Sequence, residues 1–405
     1  MFTATKDLML PTTVTGSWPR PRWFDMSMWG KPLSTCMMDI KFRELFTDAL
    51  SVVISDQERA GLDLINHGDF FCDADMAGRS WHHYPLQRWT GFEGDYFQSG
   101  HTVADHLKYP PGTMLNEIYT GWRWPKVVDK VEAGPLEYAK IWRMLQARTR
   151  KPIKFGTVSA QVMGYFLDIK TDKYKDVREV VWDMATAMNK ELRALAAAGC
   201  KLIQIEEPTL HFTAHYYPDD KEYLKFLVDA WNHETSGLDD VEIWIHTCWG
   251  NPNMQRVFEG VSYKPSIEIY LEQCRGDVWT VEMCDHDQVE LPLFADPIKA
   301  SSKKLAVGVV SHRTLQCDRP NDVAERIRSA LKYVPAEKLC LSTDCGFGRQ
   351  GCNRDTAFFK SVAIAEGANI VRKELGFEER YVPGVDTNLQ TDYIPELDPS
   401  FTRLK

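Results

Sequence analysis

His246-Thr247-Cys248 places two metal-binding side chains two residues apart at the end of the apolar run Glu242–Cys248. Residues i and i+2 of an extended strand point to one side, so this imidazole and thiol face the same space. Two later runs end in the same way: Glu282 closes Trp279-Thr280-Val281-Glu282, and Cys345 stands in Thr343-Asp344-Cys345-Gly346. Two thiolates, one imidazole and one carboxylate suit a tetrahedral zinc ion. The same residues admit a plainer account, with Cys248 and Cys345 as small buried hydrophobes and Glu282 in a salt bridge across the mouth of a barrel. Cys284, two residues past Glu282 and facing the same side, is the rival ligand, whereas Cys274, Cys340 and Cys352 read as structural.

Side chains this far apart in sequence need a scaffold that gathers strand ends. Eight short runs rich in β-branched residues qualify: Thr12–Pro19, Leu62–Asp69, Ile153–Ser159, Lys201–Pro208, Glu242–Cys248, Asp277–Asp285, Leu305–Ser311 and Lys338–Cys345. Each is apolar through its middle and polar at its C-terminal end. Helical periodicity lies between them, over Asp39–Ala60, Leu136–Arg148, Asp176–Ala198, Lys221–Asn232, Asn321–Tyr333 and Asp355–Leu375. Repeated βα units with polar C-terminal strand ends predict an α/β fold, a single (β/α)8 TIM barrel whose site lies on that face. A doubly wound open sheet competes, but no G-x-G-x-x-G follows the first run. The stretch from Phe70 to Gly134, dense in aromatics such as Trp81, Tyr84, Trp89, Tyr96, Phe97, Trp122 and Trp124, reads as a long irregular insertion after the second strand. A lid, an oligomer contact or a packed cover are its candidate roles.

The composition agrees with one barrel over residues 1–405. With 44% hydrophobic and 26% charged residues the chain buries a sizeable core, which excludes disordered and fibrous classes. A net charge of −9 gives no footprint for a polyanion, so neither nucleic acid nor an anionic membrane is an expected partner. No apolar run reaches the roughly 18 residues that cross a bilayer, and Met1–Leu10 lacks the regions of a secretory signal, so a cytoplasmic location is expected. Ten scattered cysteines there remain thiols, which favours metal ligation or nucleophilic roles over disulfides. A small molecule is the expected ligand, and homo-oligomerisation is left open.

In order along the chain, Thr15-Gly16-Ser17-Trp18-Pro19, His67-Gly68-Asp69, Gln204-Ile205-Glu206-Glu207-Pro208, the His-x-Cys at 246 and 248, Glu282 and Asp344-Cys345-Gly346 resemble the catalytic, C-terminal half of cobalamin-independent methionine synthases and their shorter relatives. The resemblance implies zinc held by His246, Cys248, Glu282 and Cys345, with the carboxylate the most easily displaced ligand and a substrate thiol activated as thiolate. It implies that Gly16 and Ser17 grip the carboxylate of homocysteine, and that Asp69 and Glu206 bind its ammonium. A structural network with Arg79 or Arg349 is the other account of those two carboxylates. His312 falls near the family's D-I-H region, where a histidine protonates the departing group; here the text is Val310-Ser311-His312-Arg313, without the Asp and with the His offset.

The family's folate-stacking tryptophan after the third strand has no counterpart here, where the text runs Thr157-Val158-Ser159-Ala160-Gln161-Val162-Met163-Gly164-Tyr165-Phe166. The expected donor is therefore smaller than, or shaped differently from, a polyglutamyl methylfolate. Three functions follow: a zinc-dependent thiol alkyltransferase making methionine from homocysteine; an epoxide-opening transferase of the epoxyalkane:coenzyme M type; or an idle barrel that uses zinc for stability.

Overall fold

The computed structural model describes residues 2–24, 28, 30–69, 80–93, 102, 104, 107–122, 124–258, 260–348 and 351–389. Its strands are β1 (Ile65–Asn66), β2 (Thr90–Glu93), β3 (Lys126–Glu132), β4 (Ile153–Val158), β5 (Asp168–Ile169), β6 (Leu202–Glu206), β7 (Glu242–Thr247), β8 (Val278–Val281), β9 (Lys304–Val310) and β10 (Leu339–Thr343). Seven of them form one parallel sheet in the order β1-β4-β6-β7-β8-β9-β10. Every residue of β4, β7, β8, β9 and β10 is buried, as expected of parallel strands covered on both faces. The result is an α/β fold on a curled parallel sheet.

The first expected strand, Thr12–Pro19, is a correction: it forms an isolated parallel bridge, Thr12 to Leu341, and no regular ladder. The segment nevertheless reaches both edges of the sheet. Thr13 N donates to Leu341 O at 3.0 Å on the β10 side, and Leu64 N donates to Thr12 O at 3.1 Å just before β1. Further along, side chains replace the ladder: Thr15 N donates to Thr343 Oγ1 at 3.0 Å, and the Thr15 and Ser342 hydroxyls meet at 2.5 Å. Gly16 then turns with φ +65°, which ends any strand.

The expected helices hold their places and their caps explain why. Asp39 accepts from Phe42 N at the start of Ile40–Arg59, whose Phe42, Phe46, Leu50 and Val53 are buried. Asp176 and Asn353 cap Val177–Ala197 and Arg354–Glu374 in the same manner.

The stretch expected to be irregular is not so where it is described. It contains helices Ser80–Leu86 and Met114–Thr120, and β2 pairs antiparallel with β3, to which β5 adds. Tyr84, Trp89, Trp122 and Trp124 are buried. Short elements broken by proline, such as Pro85 inside its helix, hide their period in the sequence. Residues 70–79 and 94–101, with Tyr96 and Phe97, lie outside the described residues, as does the Trp81 side chain.

At the end opposite the strand C-termini, Leu64, Leu202, Trp244, Val278, Ala306 and Cys340 form one cluster, stoppered by Phe2, Ala4 and Leu8. Glu242 fixes the stopper: its Oε2 accepts the N–H groups of Thr3, Ala4 and Thr5 at 2.8, 2.9 and 3.0 Å.

Candidate metal and substrate site

At the C-terminal strand ends, β7 carries His246 with Cys248 just beyond it, and Cys345 follows β10. One donor atom from each of His246, Cys248 and Cys345 lies within 4.8 Å of the other two, and all three residues are buried. The two sulfurs stand 3.8 Å apart. Two thiolates at ~2.3 Å from one zinc ion, at a tetrahedral angle, are separated by about 3.8 Å. Neither nitrogen of His246 makes a well-formed hydrogen bond among the described residues. The three side chains therefore fit a zinc ion. Hydrogen bonding between the two sulfurs holds the Cys345 thiol well below its usual range and pushes Cys248 up.

Two features that sequence reading missed shape this corner. The Asp344 carboxylate accepts the N–H groups of Met283, Cys284 and Asp285, each at 2.8 Å, and so pins the turn after Glu282. It occupies the space over Gly308, where a Cβ would fall 1.9 Å from Asp344 Oδ1. A glycine inside the apolar run of β9 was the signal available. The second feature is Arg313. Its Nη2 donates to Glu282 Oε1 at 2.8 Å and Oε2 at 3.0 Å, and its Nε to Oε1 at 3.2 Å. Trp249 N also donates to Oε2 at 2.9 Å. Glu282 thus groups with Asp285 and His286, not with the three donors above, although its charge acts on both His246 and Cys248. Burial pushes the Glu282 carboxyl up and Arg313 opposes it. Cys284 does not join the three-donor cluster.

His312 is buried beside the cluster. Burial and the adjacent Arg313 bring its pKa down to about 3, so the imidazole is neutral at pH 7. The Gly16-Ser17 turn lies against Gly346: a Cβ on Gly346 would fall 2.4 Å from Ser17 N. Ser17 Oγ is buried with no partner among the described residues.

Asp69 follows β1 with φ +51°, and a Cβ on Gly156 would stand 3.3 Å from its Oδ1. Glu206, at the end of β6, accepts from Gln204 Nε2 at 2.8 Å and lies 3.4 Å from His246 Nε2. Burial, helped by Cys345 and Asp69, lifts its pKa to about 7. Glu206 therefore stands against the three-donor cluster and feels the charge of Asp69. Arg79 and Arg349, the alternative partners of these carboxylates, lie outside the described residues.

A cavity opens onto Glu206, Cys248 and Cys345, with an accessible volume of about 130 Å³. Its walls are apolar, formed by Tyr119, Trp122, Phe166, Phe212, Val257 and Phe258. Tyr119 and Trp122 come from the aromatic stretch and pack edge to face at 4.8 Å. That stretch therefore supplies part of the site wall.

Residues 127–366 match the family described as the cobalamin-independent synthase catalytic domain. The chain belongs to this family. It is 26% identical to a methionine synthase of Saccharolobus solfataricus over 371 residues, covering 91% of this chain and 96% of that protein. It is 27% identical to a 2-hydroxypropyl-CoM lyase of Xanthobacter autotrophicus over 397 residues, covering 91% and 97%. Among solved structures, the fold is similar to that of a B12-independent methionine synthase from Shewanella sp. W3-18-1 solved with selenomethionine. The TM-score is 0.69 at 24% identity, over 91% of this chain and 99% of that one. The chain is thus a methionine synthase-type transferase catalytic domain that dispenses with cobalamin. No helix among the described residues is long and apolar enough to cross a membrane.

Proposed function

We propose that this protein is a zinc-dependent thiol alkyltransferase that methylates homocysteine to methionine, working in the cytoplasm as one (β/α)8 barrel in which the Thr12 segment takes the place of an eighth strand. The observation that carries the reading is the buried His246, Cys248 and Cys345 cluster with its 3.8 Å sulfur separation. Zinc bound there lowers the pKa of a coordinated thiol and keeps it reactive at neutral pH. The fourth position is left for the substrate sulfur.

The remaining roles belong to the chain's own side chains. Asp69 and Glu206 hold the substrate ammonium, while Gly16 and Ser17 hold its carboxylate. His312, as a neutral imidazole, offers an N–H beside the cluster to the departing group. The apolar cavity excludes water and aligns the donor carbon against the sulfur. In the transfer, the sulfur–carbon bond forms as the bond from carbon to the leaving group breaks, and the leaving group departs with that electron pair.

A second reading keeps the machinery and changes both substrates: the thiolate of a sulfonate thiol opens a small epoxide. The similarity to the 2-hydroxypropyl-CoM lyase and the apolar cavity wall support it. Zinc-loaded protein is to be assayed with homocysteine and with coenzyme M, each against monoglutamyl and polyglutamyl methylfolates, a sulfonium compound and short epoxides. Methionine formation from homocysteine is expected, with the polyglutamyl folate not preferred. Turnover confined to coenzyme M would move the assignment to the second reading, and absence of turnover with every pair would leave the idle barrel.

A further inference from the structure

The carboxylate expected to complete the metal set has both its oxygens engaged elsewhere. Arg313 reaches Glu282 through three contacts of 2.8, 3.0 and 3.2 Å. Arg313 is itself anchored, its Nη2 donating to Gly250 O at 2.8 Å and its Nε standing 2.9 Å from Asp285 Oδ2. Asp285 is in turn held by Arg256 at 2.6 Å. With Trp249 N on Oε2, the carboxylate is clamped from two directions. A planar guanidinium is suited to this, because its fork matches both carboxylate oxygens at once.

Charge gives the arrangement a purpose. A divalent ion with two cysteine thiolates and a neutral imidazole is uncharged; adding a carboxylate makes the site negative before the substrate arrives. We propose that Arg313 is a positioning residue that keeps Glu282 drawn away from the His246–Cys248–Cys345 cluster, so that a metal bound there keeps its fourth position for the incoming thiol sulfur. This rests on the zinc–thiol reading above.

The test uses cobalt(II)-loaded full-length protein, whose visible spectrum reports the ligand set, with metal affinity taken from chelator competition. Homocysteine and coenzyme M are titrated in separate arms. Glu282→Gln alone is expected to leave metal affinity within about threefold, whereas loss of a true resting ligand exceeds the roughly 10–100-fold typical of outer-shell changes. Arg313→Met frees the carboxylate to reach the metal, so the resting spectrum shifts toward oxygen ligation and thiol affinity falls by about tenfold. Glu282→Gln added to Arg313→Met restores both readouts. Arg313→Lys, which keeps the charge without the fork, moves both in the same direction by less and serves if the methionine variant does not fold. An Arg313→Met spectrum and thiol affinity equal to wild type would overturn the proposal, as would a hundredfold loss of metal from Glu282→Gln alone. Wild-type protein that binds no cobalt would instead remove the metal centre itself, and with it this role for Arg313.

Discussion

Lys154 offers a sharp quantitative test, because a cation is buried in the sheet with no hydrogen-bond partner among the described residues. It is 0% exposed, its Nζ has no hydrogen-bond partner among the described residues, and it lies 4.5 Å from the centre of the Trp244 ring. Burial brings its pKa from 10.5 down to about 7, against the pull of Glu206, Cys340, Glu242 and Asp69. A displacement of ~3.5 pH units at ~1.36 kcal/mol each is on the order of 5 kcal/mol of stability forgone at pH 7. The sign follows from proton counts: between pH 7 and 10.5 the unfolded chain holds the proton more tightly than the folded one, so stability rises with pH through that window. Lys154→Met removes the proton and nearly conserves volume. It is expected to stabilise the protein by about 3–5 kcal/mol at pH 7, with the advantage shrinking to nearly nothing near the exposed lysine pKa. Urea unfolding of both proteins across that pH range measures it. A variant less stable than wild type at pH 7, or an advantage that does not change with pH, would refute the reasoning.

Three further outcomes are expected. The Cys248→Ser, Cys345→Ser double variant should fold yet lose bound zinc and turnover, measured by metal analysis and assay; full zinc occupancy would sink the ligand assignment. Asp69→Asn and Glu206→Gln should each weaken homocysteine binding by roughly ten- to a hundred-fold, a lost charged hydrogen bond of ~1.5–3 kcal/mol, while zinc stays bound. Unchanged affinity in both would point to a thiol without an ammonium. Burial tends to raise the Asp63 pKa, but Arg372, at 2.7 Å, and Arg380 outweigh it and hold the group below its ordinary 3.8. Its contribution is thus present above pH 3.8 and lost as pH falls through the folded value. Asp63→Asn should therefore cost stability at neutral pH, and the gap from wild type should close in acid; a gap independent of pH would contradict this.

Much of this architecture was legible in the chain. Seven of the eight expected strand positions and all six expected helices coincide with observed elements, because buried parallel strands read as unbroken apolar runs and long amphipathic helices carry strong periods. Thr12–Pro19 was less regular than expected because hydroxyls do the pairing there, which no period records. The three-donor cluster was legible from strand-end spacing. The position of Glu282 was not, since a residue's partner across a barrel mouth has no sequence signature until the fold places Arg313 opposite it. The role of Asp344 was not legible for a similar reason: it accepts three backbone N–H groups of a distant turn.

The bridge between Thr12 and Leu341 also sets a timetable for synthesis. The edge that Thr12 must meet is among the last of the sheet to leave the ribosome, and the segment Thr3–Thr5 waits in the same way for Glu242. Until then the nascent sheet presents unpaired edges and an open lower end. Contacts of such high sequence separation slow folding and leave aggregation-prone intermediates exposed. A slow final phase, in which the N-terminal segment docks onto an otherwise formed sheet, is the kinetic signature expected of this topology in stopped-flow refolding.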